Sequence, residues 1–261
     1  MRALFTAASG MEAQQLRIDS IANNLANVNT TGFKKWRPEF QDMFYEVLRA
    51  PGATGADGAS LPTGVQVGHG VRNASVSRVF SQGDRVATQQ DLDLAIDGIG
   101  FFQVEKAGGE TVYTRDGAFK RDRDGNIVTS AGHQLVPGIT IPSDALQVTI
   151  LPDGTVSAIL PGQIQPSDVG QIELARFVNP AGLRALGNNL FTPTDASGDP
   201  ETGTADQDGF GSVTQGFLEM SNVNVAEELV QMILAQRAFE TNSRVIQAGD
   251  EMLRNAASLT R

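Results

Sequence analysis

The chain has 261 residues, room for one large domain or two smaller ones with a sizeable core. Its formal charge of −10, with Phe33-Lys34-Lys35-Trp36-Arg37 as the one basic cluster, argues against a nucleic-acid partner, because neutralising phosphates takes clustered Lys and Arg. There is no cysteine, so no disulfide is expected, and no apolar run approaches the roughly 18 residues of a membrane-spanning helix, so no membrane insertion is expected.

Aromatic content is low, at 6%, and glycine is abundant, at 28 residues, which favours many turns and short strands between helical ends. The N-terminus carries one Arg, and its apolar positions are periodic rather than continuous. It therefore does not read as a Sec-type signal peptide. The expectation is a cytoplasmic chain, or one exported by a different route.

The first apolar series begins at once. Leu4, Ala7, Met11, Gln14, Ile18, Ile21, Leu25 and Val28 alternate spacings of three and four, the a/d pattern of a coiled-coil seam. They predict a helix from about Ala3 to Val28. Gly10 interrupts it at a cost of about 1 kcal/mol relative to Ala, and either admits a close helical neighbour or is simply tolerated. Asn27-Val28-Asn29-Thr30-Thr31-Gly32 ends the helix, since Asn and Gly accept the left-handed conformation. From Phe33 to Val47, Pro38 breaks any helix, although Phe40, Met43, Phe44 and Val47 have helical spacing. Residues 50–64 hold Pro51, Pro62 and four glycines among small residues and read as a mobile loop.

Val65, Val67, Val71, Val76 and Val79 mark short strands. From Asp91 to about Phe191 every signal is β: Leu92, Leu94 and Ile96 alternate, Gly98 and Gly100 bracket a turn, and Phe101 to Val104 is a strand. Gly108-Gly109 and Asp124-Gly125-Asn126 are hairpin turns. Strands at this spacing with no intervening helical pattern predict a barrel or sandwich. Residues 195–211 read as a polar loop.

The last series is Leu218, Val225, Met232, Phe239, Ile246 and Leu253, six apolar residues seven apart. From Val225 on they form one stripe of a helix from about Asn222 to Ser258, about 55 Å long at 1.5 Å per residue. Leu229 and Ile233 widen the stripe at its start; Gln236, Ser243, Gly249 and Asp250 are the polar or small rest of that face. Asn222 or Asn224 is the N-cap, with Glu227 and Glu228 favourable to the helix dipole. So narrow a seam on so long a helix needs a partner. Either the two terminal helices pair antiparallel and then with neighbouring copies, or they pack on an ordinary core. Gln14 and Gln236, amides at seam positions, either fix register or face a subunit boundary.

Candidate chemistry is sparse. Asp122-x-Asp124-x-Asn126 starts like a calcium loop, but Ile127 stands where Gly belongs and His133 where Glu belongs. A hairpin turn is the better reading. Asp195, Asp199, Asp206 and Asp208 read as a solvated acidic loop. No nucleophile motif, phosphate loop or histidine-rich site occurs. No enzyme, metal or cofactor is expected.

Three stretches carry a family resemblance. Asn23-Asn24-Leu25-Ala26-Asn27-Val28-Asn29-Thr30-Thr31-Gly32-Phe33-Lys34 resembles the N-terminal signature of bacterial flagellar rod and hook proteins. Ser221-Asn222-Val223-Asn224-Val225-Ala226-Glu227-Glu228, followed by Ala235-Gln236-Arg237-Ala238-Phe239-Glu240, is similar to the C-terminal signature. Between them, Asp93 to Phe102 and Tyr113-Thr114-Arg115-Asp116-Gly117 agree as well. The length, and Leu61-Pro62-Thr63-Gly64-Val65-Gln66-Val67-Gly68, resemble the distal rod branch more than the proximal rod or hook branches.

The resemblance implies a structural subunit of a basal-body rod that spans the periplasm. Such a subunit is exported without a Sec signal through the flagellar type III apparatus and polymerises helically into a hollow, torque-bearing shaft. It implies the proximal rod proteins, the hook protein and the P- and L-ring bushing as partners, with the terminal helices lining the channel. A secreted β-domain adhesin with a helical stalk is the competing reading from another class.

The fold expected is α+β with a mainly β body. Residues 1–30 and 220–261 form a coiled-coil-like axial domain, and 31–90 with 192–219 a connecting region. Residues 91–191 form an outer β domain of barrel or sandwich type.

Overall fold

A computed structural model describes residues 2–50, 63–106, 108–162 and 165–259. Most of the expected loop 50–64 thus lies outside the described residues. The chain divides into two compact units, one of residues 1–25, 36–77 and 224–261, the other of 26–35 and 78–223. The expected connecting region is thereby shared between them.

The first unit is built on two helices, α1 (Arg2–Ala26) and α2 (Val225–Leu259). α2 starts where it does because the Asn224 side chain accepts hydrogen bonds from the backbone N–H groups of Ala226 (3.0 Å) and Glu227 (3.3 Å). Asn222 is thus not the cap. Four points of approach run in opposite chain directions: Leu4 against Gly249, Gly10 against Asn242, Arg17 bonded to Gln231, and Asn24 to Glu228. The helices are antiparallel. Among the described residues two exposed ribbons accompany the helices, Trp36–Asp42 with Val71–Arg78 and Tyr45–Arg49 with Val65–Gly68. The helical spacing of Phe40, Met43, Phe44 and Val47 is therefore coincidental, and Pro38 sits in a ribbon open on one edge, where its missing N–H costs nothing.

The second unit is the β body. Nine of the described strands form one curled, half-barrel sheet around Phe101–Glu105, which pairs with Thr111–Thr114 on one side and with Gln134–Val136 and Glu173–Arg176 on the other. Side chains alternate between two apolar layers. Phe102, Val104, Val112, Leu174 and Leu190 face the larger core with Leu94, Ile96, Ile127, Leu135 and Ile172. Phe101, Tyr113, Ala175 and Phe191 face a smaller aromatic layer with Phe177 and Leu183. Both faces are covered, so these strands read as continuous apolar runs. The aromatic layer packs edge to face, with Phe101 and Phe177 ring centroids 5.7 Å apart.

Asp122–Asn126 is the turn between Phe119–Arg121 and Ile127–Thr129, with Asp122 N–H donating to Asn126 O at 2.9 Å. Leu218, which precedes the helical stripe, lies in the strand Phe217–Glu219, paired with Arg85–Ala87. One expectation needs correction: 195–211 is not wholly loop, since Glu201–Thr204 pairs with Glu173–Arg176, and Ala205 behind it is fully buried. Polar strand residues facing solvent concealed an edge strand.

Candidate functional site

The candidate surface lies on the two helices of the first unit. On α1, Ala7 and Ile21 are buried, while Leu4, Met11, Gln14, Ile18 and Leu25 are half-buried. Val28, expected on the helix, lies in the turn beyond Ala26. On α2, Met232, Phe239 and Ile246 are half-buried, but Val225, Leu229, Leu253 and Gln236 are exposed. The residues of closest approach on α2 are instead Glu228, Ala235, Asn242 and Gly249, again seven apart but polar or small; Ala235 is 1% exposed. Small side chains let the helix axes come together. A methyl added to Gly249 would meet Leu4 Cδ2 at 2.6 Å, and one added to Gly10 would meet Asn242 Nδ2 at 2.8 Å.

This close packing turns the large apolar residues of α2 sideways. Val225, Leu229, Val230, Ile233 and Leu234 lie within three turns and are all more than 40% exposed. Val245, Met252 and Leu253 continue toward the end of the helix, and Phe5 is exposed on α1.

Asn24, from the N-terminal signature, is 2% exposed and fully engaged. Its Oδ1 accepts from Trp36 N–H at 2.8 Å, and its Nδ2 donates to Trp36 O at 3.0 Å and to Glu228 Oε2 at 3.3 Å. The amide thus stands in for a strand neighbour of Trp36 and ties it to the first turn of α2. Asn23 and Arg237 are exposed.

In the second unit two of the signature stretches meet Glu219, which lies just ahead of the third, in one buried clasp. Lys34 is 0% exposed, and its Nζ is ion-paired with Glu219 Oε1 and donates to Ser81 O at 2.8 Å. Arg115 Nη1 lies 3.4 Å from Glu219 Oε2, and its Nη2 donates to Gly98 O at 2.5 Å. Burial pushes the ammonium of Lys34 and the guanidinium of Arg115 below their ordinary values, against the pull of Glu219.

Around this cluster Thr31 Oγ1 donates to Asp116 Oδ1 at 2.8 Å, and Asn189 Nδ2 donates to Thr31 O at 2.9 Å. Asn222 Oδ1 accepts from Lys35 N–H at 2.8 Å, while its Nδ2 donates to Val79 O at 2.8 Å. Gly32 has φ +65°, donates its N–H to Glu219 O at 2.8 Å and lies against the backbone of Arg115 and Asp116. Phe33 is buried beside it in sequence; Asn27 accepts from Thr30 through both its backbone and its side chain, and Asn29 is exposed.

The chain is 48% identical to the flagellar basal-body rod protein FlgG of Borreliella burgdorferi, covering 100% of this chain and 99% of that protein. The chain belongs to the family of flagellar basal-body rod proteins. FlgG of Caulobacter vibrioides is 48% identical over 99% of both chains, and FlgG of Bacillus subtilis 38% identical over 100% of both. Three family profiles match: flagella basal body rod protein over residues 4–34, the flagellar hook protein FlgE/F/G D1 domain over 95–158, and the flagellar basal body rod FlgEFG protein C-terminal over 214–259. The first and last of these meet at Lys34 and Glu219, and Arg115 comes from the middle one. Sequence reasoning quoted Lys34 and Arg115 within motifs without a role, and passed over Glu219. A single acidic residue ending a short strand gives no signal of burial; only its partners, 185 and 104 positions away, do.

Proposed function

We propose that this rod protein is a subunit of the distal rod. Copies stack helically into a hollow shaft that carries torque and passes exported subunits, without catalysis. The proximal rod below, the hook above and the ring bushing around it are its partners. It reaches its place across the periplasm through the flagellar type III apparatus.

The observation that carries the reading is the unpartnered apolar face of α2, from Val225 through Leu229 to Ile233 and Leu234. Monomers seldom leave so contiguous a patch in water, and a second copy of this chain is the occupant a homopolymer supplies. Fully covering one such side chain is worth about 1.5–3 kcal/mol, so a few per contact suffice when every subunit repeats them. The half-buried Met232, Phe239 and Ile246 and the exposed Leu253 extend the same subunit contact, as do Leu4, Met11, Gln14, Ile18 and Leu25 on α1.

The test introduces a charge at Leu229 or Ile246, as Leu229→Asp and Ile246→Asp, with Glu240→Gln as a conservative control on an exposed residue. Both Asp variants are expected to keep a cooperatively melting β body and to leave cells non-motile, with basal bodies lacking hooks. The control assembles. Normal motility in the Asp variants would remove these positions from the subunit contact.

A further inference from the structure

The β body carries a cleft of about 470 Å³, lined by Phe80, Ile99, Phe101, Arg115, Phe177 and Val178 among others. Phe101 and Phe177 are buried, but Ile99 is exposed and Val178 is 83% exposed. Two large apolar side chains thus stand in water at an aromatic cleft, which fits an apolar side chain from outside.

Charge adds a second requirement. Arg176 of the cleft is matched by Glu201 at 2.6 Å, and Arg85 by Asp97, just ahead of Gly98, at 2.7 Å. Lys34 and Arg115 share the single carboxylate of Glu219. One cation is therefore left over, and it is buried. Arg115 is 5% exposed, and its Nε has no hydrogen-bond partner among the described residues. A buried charge in excess favours an opposite charge brought close to it, and the attraction is stronger where protein replaces water. The occupant that suits this cleft is an apolar side chain with a carboxylate beside it.

The β body itself presents such a pair. Away from the cleft, its exposed large apolar side chains with an acidic residue two positions away are Val86, Leu146 and Leu151. Val86 lies in a strand paired with Phe217–Glu219, next to Arg85. Asp153, near Leu151, already accepts from Thr155 N–H at 2.9 Å. Leu146 is the most exposed of the three, at 72%, and Asp144 is exposed as well. Both sit at a tight turn closed by Ala145 N–H donating to Pro142 O at 3.1 Å.

We propose that this turn of one copy docks in the cleft of the next, with Leu146 against Ile99, Phe101 and Val178 and Asp144 facing the excess charge at Arg115. Turn and cleft are different surfaces of the chain. The contact is therefore heterologous and continues from copy to copy instead of closing on itself, as a helical polymer requires. The proposal rests on the reading that copies of this chain stack, and adds the β body to the contact assigned there to α2.

The chain has no cysteine, so a disulfide can come only from introduced residues. Leu146→Cys and Val178→Cys are placed singly and together in the full chain, basal bodies are purified and mildly oxidised, and the chain is followed on a non-reducing gel. The double variant is expected to yield dimers and higher multiples that reduction returns to monomer. Each single variant stays monomeric, as does Leu146→Cys with Leu186→Cys, an exposed pair that lacks the cleft residue. The charge is tested separately: Asp144→Lys is expected to abolish motility without changing the melting temperature, and adding Val178→Glu to restore it.

Basal bodies that contain the double variant without linked species would overturn the proposal. So would dimers of Leu146→Cys alone, which place two turns against each other, or Val178→Cys alone joined to a different protein, which gives the cleft another occupant. An Asp144→Lys strain as motile as the parent, or one that Val178→Glu does not rescue, counts equally against it. These outcomes leave the shaft reading in place; its failure would show as absence of the native chain from basal bodies.

Discussion

Gly32 shows how one residue in a family motif is dictated by its surroundings. Its φ of +65° is a conformation that costs an L side chain about 1–2 kcal/mol, and a methyl there would stand 2.6 Å from Asp116 N and 2.7 Å from the Arg115 carbonyl carbon. These are backbone atoms of the clasp, so they cannot swing aside. Gly132 has a similar φ of +83° with open space around it. Gly32→Ala is therefore expected to destabilise the β body by about 2–5 kcal/mol, strain plus overpacking, and Gly132→Ala by about 1–2 kcal/mol. Urea unfolding of the two variants side by side checks this; equal losses would mean that the close approach at Gly32 relaxes without cost. Asn24 and Asn222 make the complementary point. Each uses both ends of its amide on backbone groups, which Asp or Leu at the same position would leave unmet.

At the scale of elements, the helix pair rests on the series Glu228, Ala235, Asn242 and Gly249 rather than on the larger apolar residues beside it. The axes come close because Gly10 and Gly249 lack a side chain where the partner helix lies. Gly249→Leu is expected to push the helices apart and to lower the midpoint of the thermal melt followed by circular dichroism at a helical wavelength, with the β signal unchanged. Gly249→Ala should be nearly neutral: helix propensity gains about 1 kcal/mol, while Leu4 needs to shift only the end of a flexible side chain. A Leu variant that melts like the parent would show that the helices do not depend on this approach. The N-terminal heptad and the two helices were legible in the sequence, whereas the antiparallel pairing of the helices was one of two readings that the periodicity left open. The stripe of contact on α2 was not legible. Large apolar residues look like contact residues in a pattern, but two closely packed helices select small ones.

For the molecule as a whole, the two units have unequal means of stability. The β body has a contiguous core with Phe102, Val104, Val112, Leu135 and Leu174 shielded from water, together with a second aromatic layer. In the helical unit, α2 buries only Glu228 and Ala235 among its described side chains. Isolated helices are marginal in water, and their order comes from packing. Dilute protein should therefore unfold in two calorimetric transitions, the helical one first. In hydrogen exchange, amides of α2 around Met252 should exchange well before those of Phe101–Glu105. Concentrated, assembling protein should raise the lower transition, since anything that binds only the ordered helices stabilises them by mass action. One coincident transition at all concentrations would contradict this division.

The sequence by itself determined the terminal helices, the β character between them, the hairpin turns and the rod-protein family, because each is written in local period or in contiguous motif. Helical spacing three and four apart, strand runs bounded by glycine, and Asn-rich caps act over a few residues, and local physics suffices to read them. Only the tertiary structure decided what the motifs are for. It brought Lys34, Arg115 and Glu219 together, made a strand of Glu201–Thr204 by giving it Glu173–Arg176 to pair with, and turned Val225 and Leu229 toward solvent by setting Ala235 and Gly249 against α1. Those outcomes depend on partners up to about two hundred residues away. Neither the charge of a residue nor its size tells which distant neighbour the fold will place against it.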